Sequence, residues 1–563
     1  MKLVEPFFVG LGLLLIPFFS LFGSSLLFLS GFSLNAFVFP GAVLLSLLIS
    51  AYLIKPRKNK PVVYGIHVFM ILLFVGFAFF MGGLFFDYSF DGQDYHQYII
   101  YELAEGWNPF FGHTQELVPA LEKTELWANH YAKGLETVAA TIACFSGDVE
   151  LGKAVNFILF FSSGFFVLVF LKDFFSSVSH RKRLLLILII IFSPTVIVQL
   201  FTFYIDWSLY SLFLILISSL FSLKKVGGIH YFIVTIVVFL SSSIKFNILF
   251  WIGFFILLFL LYFLYTHKKE IAGKLLLWSL IGGMSGVLIG GFNPYVTNIK
   301  GGNNLFYPLM GEGKVDIMDH NTPEMFRKGN RFQNVVYSLF SLPNNHNTEN
   351  MPSITQAIKD SGAQDTRRGG FGPVFIFILV GCTFLYLNSN LSSGRKRKIY
   401  NLFLLILFLA LFILPAGWWA RYVPFFYVFP LVMLLYTEKN GLKNKKLNIV
   451  KTAVYCFFIL NIGIISSVVL LKAVKYTANV KYQLEVLKHS EPVHLFSENA
   501  SFSIKLKKEG IRIIAPDETI PLDYTVIFLP SVKANAAELK LNSVPVPFIK
   551  RTEEKIKTFT GIK

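Results

Sequence analysis

The stretch Phe90–Phe111, FDGQDYHQYIIYELAEGWNPFF, sets Asp91, Asp94, His96, Glu102 and Glu105 within fifteen positions, directly after a hydrophobic run. Carboxylates at this density suit two kinds of chemistry. One takes a proton from an acceptor hydroxyl as it attacks; the other holds a divalent cation against a phosphate leaving group. Acids beside a bilayer are costly and are kept mainly for function. Asp91 is the first candidate for the base. Asp94 reads either as a second acid or as the N-cap of a helix over YHQYIIYELAEG. His96 reads either as a ligand or as a hydrogen-bonded structural residue. Glu102, six positions on, does not share its helical face. Trp107, Asn108 and Pro109 are expected to end the helix and anchor it at a membrane interface.

Further polar residues interrupt apolar runs: Asp206 in FTFYIDWS, Lys245 and Asn247 in SSSIKFN, and Arg421 in GWWARY. Asp206 reads either as a water-exposed turn or as a second carboxylate facing the cavity of Asp91. Lys245 offers a point charge to a phosphate, or else snorkels to the interface. Arg421, wedged between aromatic residues, offers bidentate contact to a phosphate.

The elements that must position these groups follow from composition. Hydrophobic residues make up 54% of the 563 positions and charged residues 15%, with 63 Phe and a mean hydropathy of +0.60. That is an all-α polytopic membrane protein. The formal charge of +18 lies in short clusters between apolar runs, where it sets topology and argues against a nucleic-acid partner. Cys144, Cys382 and Cys456 show neither disulfide nor metal spacing. The first run, Pro6–Leu29, lacks a small-residue cleavage site and reads as a retained span.

Thirteen runs near the required length of about 20 residues are expected as spans: 7–29, 35–54, 62–86, 151–171, 184–203, 207–223, 229–244, 248–265, 274–292, 373–388, 399–416, 420–436 and 449–471. With a cytoplasmic amino terminus, the basic clusters at Lys55–Lys60, His180–Arg183, Lys224–Lys225, His267–Lys269, Arg395–Lys398 and Lys443–Lys446 all fall inside. This requires that His130–Phe145 lie along the outer face as a juxtamembrane helix. Asp91, Asp206, Lys245 and Arg421 then converge on the extracytoplasmic side, together with a first outer loop (87–150) and a long loop (293–372). The long loop, rich in Gly, Asn and Pro, predicts turns with one or two short helices near Thr322–Phe340. Residues 1–471 form the transmembrane module. Residues 472–563 carry less Phe and more Lys and Glu, and predict a small extracytoplasmic α/β domain.

These features together resemble the GT-C superfamily of membrane glycosyltransferases. DGQDYH is similar to an Asp-x-x-x-Tyr-His pattern of bacterial members, NHYAKGLETVAATIACFSGDVELGKAVNFILFF to the helix, turn and span that follow it, and WWARYVPFF to a late-span Arg-Tyr element. The likeness covers roughly the first 300 residues in architecture. Two departures stand out: Ala132-Lys133-Gly134 replaces a Pro-Pro pair, and no WWDYG-type motif is present, which disfavours protein N-glycosylation. The resemblance implies inverting transfer of a sugar from a polyprenyl-phosphate donor to a glycan, lipid or protein acceptor, among membrane lipids. It implies Asp91 as base, assisted by Asp94 or Asp206, with Lys245 and Arg421 on the phosphate and His96 and Glu102 in the substrate site. It leaves the need for a cofactor open; a divalent metal, Mg or Mn, if used, would be held by Asp91, Asp94 or Asp206. A Lys, Asn, Ile and Phe bias suggests a bacterium with an AT-rich genome, hence a bacterial inner membrane.

Two rival readings differ in class. A polysaccharide polymerase or O-antigen-type ligase would use Arg327, Arg331 and His346 of the long loop and tolerate Asp91→Asn. A lipid-linked sugar transporter would concentrate charge in mid-span, whereas here charge gathers at span ends.

Overall fold

The computed structural model describes residues 5–54, 60–115, 117, 122–226, 228–345, 351–390, 394–413, 416–488, 493–494, 500–511 and 513–514. Three helices open the chain: α1 (Pro6–Leu29), α2 (Val38–Leu53) and α3 (Lys60–Gly82). The segment carrying Asp91 follows, with a π-turn at Gly92–His96, then α4 (Gln97–Ala104), α5 (Glu122–His130) and α6 (Gly134–Ser146). Next come α7 (Ala154–Phe174), α8 (His180–Ile191), α9 (Pro194–Gln199), α10 (Trp207–Val226), α11 (Gly228–Ile244), α12 (Phe246–Tyr265) and α13 (Lys269–Ser285). Short helices α14 (Phe292–Lys300), α15 (Ile317–Asn321), α16 (Glu324–Lys328), α17 (Arg331–Phe340) and α18 (Ile354–Asp360) fill the long loop. The chain returns to apolar helices with α19 (Phe375–Leu387), α20 (Gly394–Ala410), α21 (Val428–Asn440) and α22 (Asn448–Lys488). Finally β1 (Val493–His494), α23 (Ala500–Lys508) and β2 (Ile513–Ile514) form a parallel βαβ unit, pairing Val493 with Ile513.

Among the described residues, six helical stretches are long and apolar enough to cross a membrane: Pro6–Leu29, Lys60–Gly82, Glu150–Phe174, Phe246–Tyr265, Lys269–Gly290 and Lys445–Tyr482. Five shorter apolar helices accompany them. The chain is therefore a helical, multi-pass membrane protein. The count of thirteen is not confirmed. Every expected run contains a helix, but α8 has 12 residues and α19 and α21 have 13 each, too few alone for a core about 30 Å thick at about 1.5 Å per residue. The run 184–203 breaks where Ser193 caps α9 through its hydroxyl, which accepts from the Val196 amide at 3.4 Å, and Pro194 takes the first helical turn.

Several local expectations are corrected. Residues Gly134–Ala143 of α6 are all buried, so this helix is enclosed by protein, packed on α1 and α4, and does not lie along a surface. Trp107 is 1% exposed, its Nε1 donating to the Gly112 carbonyl at 2.9 Å; it is a core residue, not an interface anchor. The short helices expected near Thr322–Phe340 are α16 and α17, and among its described residues the long loop adds α14, α15 and α18. The boundary at 471 falls inside α22, which runs unbroken for 41 residues. Of the tail, the described part is the end of α22 followed by one strand, one helix and one strand; the later strand expected in DYTVIFLP lies outside the described residues.

Candidate functional site

The segment from Ala416 to Tyr427 is irregular, because Gly417 and Pro424 bracket it and Pro424 cannot donate into a continuing helix. Trp418 stacks on Trp419 at 5.3 Å, and Trp419 on Tyr422 at 5.0 Å. That stack fixes the backbone that presents Arg421.

Arg421 is the hub of the site. Its Nε donates to Asp206 Oδ2 at 2.9 Å, Nη1 to Asp365 Oδ1 at 2.6 Å and Nη2 to Asp91 Oδ2 at 3.3 Å. The guanidinium lies 4.9 Å from the Tyr204 ring and 5.1 Å from Trp419, where cation–π attraction adds to the ion pairs. Lys245 Nζ donates to the other Asp206 oxygen at 2.6 Å. Lys245 reaches inward because the chain is extended there, at φ −162° and ψ 141°. Ser241, Ser242 and Ser243 precede the break, each hydroxyl bonded back to the fourth preceding carbonyl, a pattern that weakens helix continuation. Arg367 flanks the cluster, 3.5 Å from Asp365.

Exposure separates the three acids. The Asp206 side chain is 1% exposed, whereas Asp91 and Asp365 keep 23% and 25%. Burial alone would raise the Asp206 carboxyl, but Arg421 and Lys245 outweigh it and hold it below the usual carboxylate value. For Asp365 burial wins and the carboxyl is raised. Asp206 is thus a fixed anion that seats two cations, while Asp91 and Asp365 form the accessible rim.

The structure brings together four of the residues expected from sequence: Asp91, Asp206, Lys245 and Arg421. It engages the others elsewhere. Asp94 lies inside the π-turn and is not the N-cap, which is Asp91; its Oδ1 accepts from Thr124 Oγ1 at 3.0 Å. His96 Nδ1 lies 2.6 Å from Glu136 Oε1, both side chains buried. Glu102 accepts from the backbone amides of Gln115 at 2.7 Å and Leu117 at 2.8 Å, fastening the loop that follows α4. Asn247 has a buried side-chain amide with no hydrogen-bond partner among the described residues. His346 lies outside the described residues. The set Asp91, Asp94 and Asp206 is not gathered around a common point. Among the described residues, no group of three or more His, Cys, Asp and Glu stands close enough to hold a metal ion.

Three supporting groups escaped sequence reasoning. Asp365 is one; its only signal is an acid within AQDTRRGG of the long loop. The second is Asp87, 1% exposed, which accepts from the Ser89 amide and hydroxyl at 2.7 and 2.6 Å and from the Phe203 amide at 2.8 Å. It ties the Asp91 loop to the turn that carries Asp206. Gly92 packs on it so closely that a Cβ would stand 2.0 Å from Asp87 Oδ2. Gly92→Ala is therefore expected to destabilise the protein by about 1–3 kcal/mol, seen as a lower thermal midpoint in detergent; an unchanged midpoint would contradict this packing.

The third is a clamp from the carboxyl-terminal end. Gln93 Nε2 donates to Tyr476 Oη at 2.8 Å, and the Phe86 amide to Thr477 Oγ1 at 2.9 Å. Lys505 of α23 donates to Glu150 Oε1 at 2.6 Å, and Glu150 Oε2 accepts from Lys153 and, at 3.0 Å, from the Asp87 amide. The acidic loop is thus held from behind by α22 and α23. Lys505→Ala should cost about 1–3 kcal/mol, the range for a charge-assisted hydrogen bond, and speed amide exchange across residues 86–104. Unaltered exchange there would show that the clamp holds nothing.

Lys133, at the departure from the Pro-Pro pair, is 3% exposed and donates to the Tyr131 carbonyl at 2.8 Å and to Asn293 Oδ1. Burial brings its ammonium down to about 7, against a weaker opposing pull from Glu136. The unfolded chain, with a lysine near its ordinary value of about 10.4, binds more protons between about pH 7 and pH 10, so stability should rise with pH across that window. Lys133→Met should flatten the rise, and melting curves with the same pH slope in both proteins would contradict it.

No family model matches the chain, and no curated protein or solved structure is significantly similar to it. The fold and the site define a class: a helical multi-pass membrane protein in which five chain segments meet around one arginine.

Proposed function

We propose that this protein is a membrane glycosyltransferase, moving a sugar from a polyprenyl-phosphate donor to a cell-envelope glycan, lipid or protein acceptor. The observation that carries the reading is the convergence of Asp91, Asp206, Lys245 and Arg421, with Asp91 at the accessible rim. The chemistry suits such a cluster. Asp91 takes the proton of the acceptor hydroxyl as its oxygen attacks the anomeric carbon. The bond from that carbon to the phosphate oxygen breaks, and its electron pair leaves on the phosphate. A single displacement of this kind inverts the anomeric centre. Arg421 offers five N–H donors, of which three hold carboxylates, leaving two for the departing phosphate; Asp206 keeps Arg421 and Lys245 aimed.

In this reading the amino terminus is cytoplasmic and the site and carboxyl-terminal unit face outward from a bacterial inner membrane, where nucleotide sugars are lacking. The test incubates membranes containing wild type, Asp91→Asn or Asp94→Asn with a panel of labelled polyprenyl-phosphate sugars. Transfer with inversion by wild type and Asp94→Asn, lost in Asp91→Asn, is the expected result. Equal transfer by all three removes the base assignment, and no transfer from any donor removes the reaction class.

A further inference from the structure

The far end of α12 carries a second feature, whatever chemistry Asp91 performs. Helix α20 packs against α21 but stands off from α10 and α12, meeting α10 through Phe403 against Phe221 at 6.3 Å. The gap between them has a volume of about 430 Å³ and an almost wholly apolar wall. It adjoins a smaller gap of about 180 Å³ reaching Lys439 at the end of α21. Its mouth is open to the side: Leu261 and Leu402 are each 54% exposed. An unfilled space of this kind forfeits dispersion contacts along its whole lining, so in a bilayer it takes up hydrocarbon.

Length and charge identify the hydrocarbon. On α12 the lining runs from Phe255 to Tyr265, a rise of about 15 Å at about 1.5 Å per residue. That equals one leaflet of a core about 30 Å thick. The gap is therefore as deep as one acyl chain, and it does not span the membrane. Cations stand beside the lining at the carboxyl-terminal end of α12. Lys172 precedes the lining residue Phe174, Lys268 and Lys269 follow Tyr265, and Lys398 precedes Ile399, all four exposed. The acids on these same elements are Asp173 and Glu270, and Glu270 is already paired with Lys274 at 2.6 Å. Lys245 sits just before the start of α12 and Lys268 just past its end, about 30 Å apart along a 20-residue helix. A lipid phosphate at this rim thus belongs to the leaflet opposite the Arg421 cluster.

We infer that the gap between α10, α12 and α20 is a binding site for one anionic glycerophospholipid, its acyl chain against Phe221 and Phe403 and its phosphate among Lys172, Lys268, Lys269 and Lys398. Basic rims between membrane helices recognise such headgroups. The full chain, reconstituted in nanodiscs of equimolar phosphatidylglycerol and phosphatidylethanolamine and then released in mild detergent, is examined by native mass spectrometry. One phosphatidylglycerol retained per chain is expected. Leu261→Trp, which fills the mouth from a lipid-facing position, should reduce retention. Lys268→Glu combined with Lys269→Glu should cut the preference for phosphatidylglycerol roughly thirtyfold, two basic residues near the surface at about 1 kcal/mol each. The inference is overturned if wild type retains no lipid, if a polyprenyl phosphate offered in the same nanodiscs takes the place, or if neither variant changes what is retained.

Discussion

Arg421→Met should be the most damaging single substitution in this protein. It preserves much of the side-chain volume and removes the one group that touches Asp91, Asp206 and Asp365 at once. Breaking a buried ion pair from one side costs about 3–5 kcal/mol because the abandoned charge stays buried. Here the buried Asp206 keeps one cation, Lys245, and a 3.5 Å hydrogen bond from Gln199 Nε2. The pH dependence gives the effect a signature. In wild type the Asp206 carboxyl is held low, so the stability it contributes is present above the unfolded value of about 3.9 and is lost as pH falls through the folded value. Without Arg421 burial dominates and the carboxyl rises, so the deficit should be widest near neutrality and shrink on acidification. Arg421→Lys should recover only part of it, since a point charge cannot serve three directions. Thermal midpoints in detergent across pH would decide; a variant as stable as wild type at neutral pH would remove Arg421 from its central place.

Asp91→Asn should do the reverse, leaving the fold intact and removing catalysis. The Asp91 side chain is 23% exposed and accepts one bond from Arg421 at 3.3 Å, which an amide oxygen also accepts. The expected stability change is within about 1 kcal/mol, because Asp91 is partly exposed and Arg421 keeps Asp206 and Asp365. The expected loss of transfer is about 10²–10⁴-fold, the contribution of a positioned base. Asp365→Asn is the necessary comparison, because Asp365 shares the rim with 25% exposure. If Asp365→Asn abolished transfer while Asp91→Asn kept it, the base would be the acid of the long loop.

The contrast between these acids shows what could be read from sequence. Asp91, Asp206, Lys245 and Arg421 interrupt apolar or aromatic runs, where a charge needs a reason, so they stood out. Asp365 lies in a loop where polar residues are the rule, and its bond to Arg421 crosses 56 positions. Glu150 and Lys505 are 355 positions apart, and no local pattern links them. The helical runs were legible because apolar stretches of this length have few other uses. Their division was not, since only packing decides that α6 is enclosed or that a tryptophan such as Trp107 fills a core. Asp94 resembled a cap because capping chemistry is local, yet the turn begins at Gly92 and takes Asp94 inside it.

The span between Asp91 and Arg421 also bears on how the protein is made. Arg421 follows Asp91 by 330 residues, which at roughly 5–20 residues per second is roughly fifteen seconds to a minute of synthesis. Throughout that interval the nascent chain carries the Asp91 loop without Arg421, and the Asp206 turn, once made, has Lys245 alone as its cation. An acid that must be buried beside Arg421 therefore waits in water or against the insertion machinery until the last third of the chain arrives. The Asp91 loop, synthesised early, is completed among the last, and ribosome stalling or truncation before Arg421 should yield a product whose early helices are inserted but whose acidic loop is open to protease.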